Sequence, residues 1–320
     1  MASGGAIDLN SDDMGTSGLP GRQVLEIATI RSLSQRSDLQ GFIRFGVHFS
    51  LIGLTSLLIT VWGDRWYLLV PAMILNGFTL VTMFAPMHEC VHRTAFSTSR
   101  WNEVFGWLAG LLSYYNFTYY RYYHTWHHRY TQDQEKDPEL MDPKPRDLFQ
   151  YFVEISGFWF WTARPVTFTK LSLGITRGYP FIPENARRKI AISASIQSAC
   201  YLAGIVSIAL GYPFALFHFF LPTILAQPLL RAILIAEHTG CSTDENGLTN
   251  TRTTLTSFPI RLLMWNMPYH TEHHLYPSIP FHHLPQAHVE LKDKLVHLAP
   301  NYVAANHEII QTLVPDKKKE

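Results

Sequence analysis

The sequence predicts an all-α integral membrane bundle of four transmembrane helices, with interfacial helices and a cytosolic histidine-rich cap. Three observations lead there. Four blocks, approximately 46–62, 66–84, 191–210 and 213–236, are nearly free of charge and long enough to cross a bilayer. They form two hairpins, closed by Gly63, Asp64 and Arg65 and by the Gly211 to Pro213 turn. Eight of the 16 histidines fall in three short runs near the ends of these blocks.

Composition agrees with this class. Of 320 residues, 47% are hydrophobic, 13% aromatic and only 16% charged. A net charge of +1 and a pI near 7.8 offer no electrostatic footprint for nucleic acid. The three cysteines make no disulfide framework. Cys90 and Cys241 sit near His88 and His238, which leaves a thiolate ligand open beside the plainer reading of small buried thiols.

Residues 1–20 are rich in Gly, Ser and Asp, lack the apolar core of a cleavable signal, and read as a disordered tail. Residues 21–45 carry Arg22, Arg31, Arg36 and Arg44 among apolar residues, which suits a helix lying on the membrane surface before the first span. The membrane domain is expected over 21–310. After span two, segments 104–117 and 148–163 are apolar and aromatic but too short to cross, and read as interfacial helices. The run from Tyr114 to His124 reads as an aromatic belt at headgroup level, with a lining for a long apolar substrate as the alternative. Thr131 to Asp147, dense in carboxylates, reads as a solvated loop. Residues 311–320 form a charged tail whose closing Lys317, Lys318, Lys319 and Glu320 match an endoplasmic-reticulum retrieval signal if the source is eukaryotic.

Of 26 Lys and Arg, Arg65 alone falls in the two hairpin turns, and Arg231 lies within a span. The positive-inside rule therefore puts both turns outside, and both termini and all three histidine runs in the cytosol.

The runs are His88 to His92 (HECVH), His124 to His128 (HTWHH) and His270 to His274 (HTEHH). On a helix the i, i+3, i+4 spacing brings the imidazoles of one run to one face. Eight imidazoles exceed what a single tetrahedral zinc takes, so their number points to two metal ions. Ligating imidazoles are oriented by a hydrogen bond at the other ring nitrogen, and Glu89, Asp137, Glu237 and Glu272 are the carboxylates nearest in sequence. His282 and His283 lie in a proline-stiffened loop.

The pattern HxxxH, HxxHH, HxxHH, with a hydrophobic hairpin between the second and third boxes, resembles the membrane fatty acid desaturase and hydroxylase superfamily over roughly Gly46 to Leu291. The resemblance implies a non-haem diiron centre held by His88, His92, His124, His127, His128, His270, His273 and His274. It further implies a ninth histidine, for which His238 is the match 32 residues before His270. The Asn that precedes that histidine by one turn in acyl-CoA desaturases is replaced by Leu234, and Asn266 is the candidate to substitute through a water. O2, a hydrophobic acyl or isoprenoid substrate in the bilayer, and a separate electron donor (ferredoxin or cytochrome b5) complete the implied partners, since no cytochrome b5 haem motif is fused.

The expected function is thus O2-dependent oxidation of an unactivated C–H bond, foremost desaturation of a fatty acyl lipid. Hydroxylation or ketolation of a carotenoid, terpenoid or hydrocarbon is the alternative within the class, because the third-box region also looks like that of carotenoid ketolases. From another class, HECVH fits a zinc peptidase with Glu89 as general base, which would leave most box histidines without a task. A metal carrier would need polar groups at mid-membrane depth; the span histidines, His48 and His218, lie near span ends.

Overall fold

The computed structural model describes residues 24–141 and 144–314. The expected N-terminal tail, Arg22 and the terminal Lys-rich motif lie outside the described residues. Among the described residues, four helices are long and apolar enough to cross a membrane: Asp38–Val61, Trp66–Val91, Glu184–Ala209 and Leu216–His238.

Among the described residues the first helix is α1 (Ile27–Leu33), and α2 (Asp38–Val61) follows after four residues. The helix expected along the surface over 21–45 is therefore split. Ser37 caps α2 by accepting from the Gln40 amide, and Asp38 adds negative charge in the first turn, so the spanning helix starts well before the apolar block does. Span two consists of α3 (Trp66–Val81) and α4 (Phe84–Val91), the latter ending in the first histidine run. α5 (Ser99–Ser113) ends where Tyr114 takes φ 62°, and α6 (Phe117–Tyr130) starts at an Asn116 cap that accepts from Tyr119 N at 2.9 Å.

The two interfacial segments are helical as expected. α7 (Leu148–Ile155) and α8 (Phe158–Ser172) meet at Gly157, whose φ of 75° a side-chain-bearing residue adopts only with strain. Phe149 (77% exposed) and Phe152 (60%) project outward, which suits the boundary layer of a bilayer. α9 (Glu184–Ala209) is span three. A π-helical turn, Leu216–Phe220, leads into α10 (Leu221–His238) to complete span four.

The remaining chain folds over the end of the bundle that carries the histidines: β1 (Thr253–Thr254), α11 (Phe258–Leu263), α12 (His270–Leu275), α13 (Leu284–Leu291), β2 (Leu298–Ala299) and α14 (Tyr302–Leu313). β1 and β2 pair in parallel, Thr253 with Leu298 and Thr254 with Ala299.

The second span is the interior one. Its apolar stretch is 61% buried, against 17% for the first and 22% for the third, whose apolar faces are left for lipid. α3 lies tight against α10 at Gly77, where a Cβ would overlap the Pro222 carbonyl. Close approach at small residues is how helices associate where no hydrophobic effect drives them together. The main core, with Met83, Met87, Ala109, Phe117 and Leu230, sits directly beneath the histidines.

The aromatic run departs from the belt reading. Tyr114, Tyr115, Phe117 and Tyr120 are buried, because α6 turns inward from its Asn116 cap and packs this face on α4 and α5. The loop over 131–147 departs from the solvated reading as well. Gln132, Asp137 and Pro138 are buried, since the loop folds back onto α6 and the end of α10.

Candidate metal centre

Four elements bring the imidazoles together. α4 presents His88 and its C-cap His92, α6 presents His124, His127 and His128, α10 ends at His238, and α12 presents His270, His273 and His274. Two groups result. In the first, one ring nitrogen from each of His88, His92, His124, His128 and His273 lies within 4.8 Å of all the others; in the second the same holds for His127, His238 and His274. His270 joins the second group, its Nε2 3.2 Å from His238 Nε2 and its ring centroid 4.6 Å from that of His274. The groups abut where the His128 and His274 rings stack at 4.1 Å.

The donor set fits a pair of transition-metal ions. Two imidazole nitrogens about 2.1 Å from one ion and at right angles stand about 3.0 Å apart. The Nε2 pairs His124–His128 (2.9 Å), His128–His273 (3.1 Å) and His238–His270 (3.2 Å) have that spacing. The buried Nε2 atoms of His88, His92, His127 and His274 have no hydrogen-bond partner among the described residues, the state in which a lone pair is free for a metal. Burial, reinforced by neighbouring imidazoles, holds His92, His124, His128, His270 and His274 well below the usual range, and His273 at about 3, so these rings are neutral as ligation requires.

His127 is the exception. Burial lowers its basicity, but the carboxylates of Glu139 and Asp137 outweigh this and raise it. Asp137 Oδ1 lies 2.9 Å from His127 Nδ1, and the same carboxylate accepts from Gln132 N at 2.8 Å and Glu139 N at 2.9 Å. Glu139 Oε2 is 3.8 Å from the same ring nitrogen, and a Glu139 oxygen groups with His124 and His127. Sequence reasoning missed Glu139. The signal was Asp137-Pro138, an N-cap followed by proline, which forms a single 3-10 turn (Pro138–Leu140) that turns Glu139 toward α6.

The other carboxylates are placed differently. Glu237 Oε2 lies 3.6 Å from His270 Nε2. Glu272 pairs with His288 Nδ1 at 2.5 Å and accepts from Thr253 Oγ1, so it ties α12 to α13 and β1 rather than orienting a box histidine. Glu89 Oε1 accepts from Phe281 N at 2.9 Å, bracing the first box against the segment after the third. Asn266 donates from Nδ2 to Phe281 O at 2.9 Å. The groups contain no cysteine among the described residues, and burial pushes the Cys241 thiol up.

Three polar residues that the sequence left unmarked hold His238 in place. Gln132 Nε2 donates to His238 O at 2.7 Å, and Lys144 Nζ reaches Gln132 Oε1 at 2.8 Å. Arg252, 1% exposed, donates from Nη1 to Ala236 O (2.7 Å) and Thr239 O (2.8 Å). A cation on the last carbonyls of α10 also complements the helix dipole.

A family model for fatty acid desaturases matches residues 64–305, which include every box and three of the four spans. The chain belongs to the fatty acid desaturase family. Among relatives, this desaturase-family chain is 38% identical over 114 residues to an sn-1 oleoyl-lipid 12-desaturase of Picosynechococcus, a match covering 33% of each protein. It is 25% identical over 250 residues to the sn-1 oleoyl-lipid 12-desaturase of Synechocystis, covering 71% of this chain and 69% of that one. With the sphingolipid delta(4)-desaturase of Xenopus tropicalis it shares 28% over 231 residues, covering 70% and 64%. The chain thus spans from a third to about two thirds of the length of these relatives.

Proposed function

We propose that this protein is a membrane-bound diiron desaturase that introduces a double bond into a long acyl chain carried on a lipid. The observation that carries the reading is the convergence of two imidazole groups at one end of a four-span bundle in a desaturase-family chain. His88, His92, His124, His128 and His273 would hold one iron; His127, His238, His270 and His274 would hold the other. Bound there, the pair supplies O2 activation and removal of hydrogen from an unactivated carbon. Across the whole reaction the substrate loses two hydrogens and O2 is reduced to two waters, the other two electrons coming from a separate donor, ferredoxin or cytochrome b5.

The protein's own part is placement and exclusion. Asp137 takes the Nδ1 proton of His127 in a hydrogen bond and leaves Nε2 facing inward. Tyr120 stacks on His124 at 5.1 Å and, with Phe84 and Tyr115, forms an apolar floor that keeps water from the reacting carbon. This floor supports the substrate-lining reading of the aromatic run. An acyl lipid is favoured because two relatives bear the name of oleoyl-lipid desaturases. The scarcity of basic residues in the hairpin turns supports a cytosolic position for the histidines and both termini.

The test is expression with each donor in a host that lacks polyunsaturated lipids, followed by lipid mass spectrometry and metal analysis. A product two mass units lighter and iron near two per chain are expected. A product sixteen units heavier would make it a hydroxylase, and stoichiometric zinc without iron would overturn the reading.

A further inference from the structure

Polar side chains buried within the spans are commonly satisfied by their neighbours. Gln197 Nε2 on α9 has Gly110 O (3.1 Å), Tyr115 O (3.1 Å) and Tyr201 OH (2.8 Å) as acceptors for its two N–H groups, and its Oε1 accepts from Asn116 Nδ2 (3.1 Å). Gln227 on α10 is the opposite case. It is 0% exposed, and neither its Oε1 nor its Nε2 has a partner among the described residues. Trp161 Nε1 on α8 is likewise buried and without an acceptor. Both side chains border Gly157: a Cβ placed there would lie 2.8 Å from Gln227 Cγ and 3.7 Å from Trp161 Cδ1. One turn along α10, Arg231 uses Nη2 on Tyr115 OH (2.7 Å) and faces Glu154 at 3.7 Å, while its Nε is buried and unmatched.

These groups share a face with the metal centre. Gln227 precedes His238 by eleven residues, close to three full turns, which puts it on the same side of α10 and about 16 Å deeper. Arg231 lies between. Carboxamide, indole and guanidinium atoms shut among apolar side chains with no partner destabilise a fold, and a charged residue within a span marks function more often than packing. The indole N–H, the carboxamide NH2 and the guanidinium Nε–H outnumber the one acceptor, Gln227 Oε1, so the complementary group is an oxygen.

We propose that this face of α10 binds a carbonyl or hydroxyl oxygen on the substrate, with Gln227 and Trp161 as its direct partners. The substrate is then a long apolar molecule that carries oxygen about 16 Å from the carbon at the histidines, not a plain hydrocarbon tail. Naming the ligand as the substrate rests on the oxidoreductase reading; the binding itself does not.

The test uses the full-length, iron-loaded protein in detergent. Thermal unfolding is followed with straight-chain alkanes and with the 1-alkanols of the same length, over a series of chain lengths. At one length the alkanol should raise the midpoint by about 4 °C more than the alkane. Gln227→Leu and Trp161→Phe should each abolish that excess. Gln227→Leu should also unfold at a higher temperature without ligand, because it deletes an unmatched carboxamide, and so loss of binding in it is not loss of fold. Equal shifts for alkane and alkanol at every length, or an excess that survives in both variants, would overturn the site. The readout needs no turnover, so a protein that bound the alkanol but oxidised nothing would refute the proposed function alone.

Discussion

Asp137 Oδ1 stands 2.9 Å from His127 Nδ1, and both side chains are closed to solvent. The contact assigns the ring's proton to Nδ1 and leaves Nε2 without a partner on the side of His238 and His274. Asp137→Asn keeps the shape and removes the charge. Metal affinity and turnover should each fall about 10-fold to 100-fold. Iron analysis beside a turnover assay reads both; unchanged values would show that His127 is oriented by Glu139 alone.

The division into two groups makes separate predictions for histidines on different elements. His92→Ala removes a nitrogen from the group of five, and His238→Ala removes one from the other group. Each should abolish product formation and lower the iron content of purified protein. A variant that kept full iron and full activity would not be a ligand.

Arg252 closes the end of α10 that carries His238. Arg252→Met fills similar volume but leaves Ala236 O and Thr239 O without their donor. A loss of about 3 kcal/mol in stability is expected, and Arg252→Lys should recover only part of it, since a single ammonium does not reproduce the guanidinium fork. Thermal unfolding of the two variants measures this.

Gly77 and Gly46 give a contrast within the spans. A Cβ on Gly77 would overlap the Pro222 carbonyl, whereas one on Gly46 meets nothing within 4 Å. Gly77→Val should prevent accumulation of folded protein in the membrane. Gly46→Ala should be neutral or stabilising by about 0.5–1 kcal/mol, because it removes chain freedom from the unfolded state. Detergent-solubilised yield and unfolding midpoint separate the outcomes.

Much of the framework was readable because it follows from local chemistry. Apolar length marks a span, a Gly-Asp-Arg turn marks a hairpin, and three histidine runs near the span ends mark a metal-binding cap. What went unread depends on contacts between distant segments. The 131–147 carboxylates look solvated in any local window, yet Asp137 is buried because the loop returns to His127 and because Gln132 reaches His238 across the fold. Glu272 lies inside the third histidine box, but on the short α12 its carboxylate faces α13 and meets His288.

The boxes show the same boundary most clearly. Spacing alone determined that the three imidazoles of HTWHH share one side of α6. Only the tertiary structure decided that His124 and His128 belong to one group while His127 belongs to the other. A helix face is wide enough to border two sites. Which ring enters which site is set by the direction from which α4, α10 and α12 approach it, and that direction comes from packing the spans and folding the cap over them, which no run of five residues encodes.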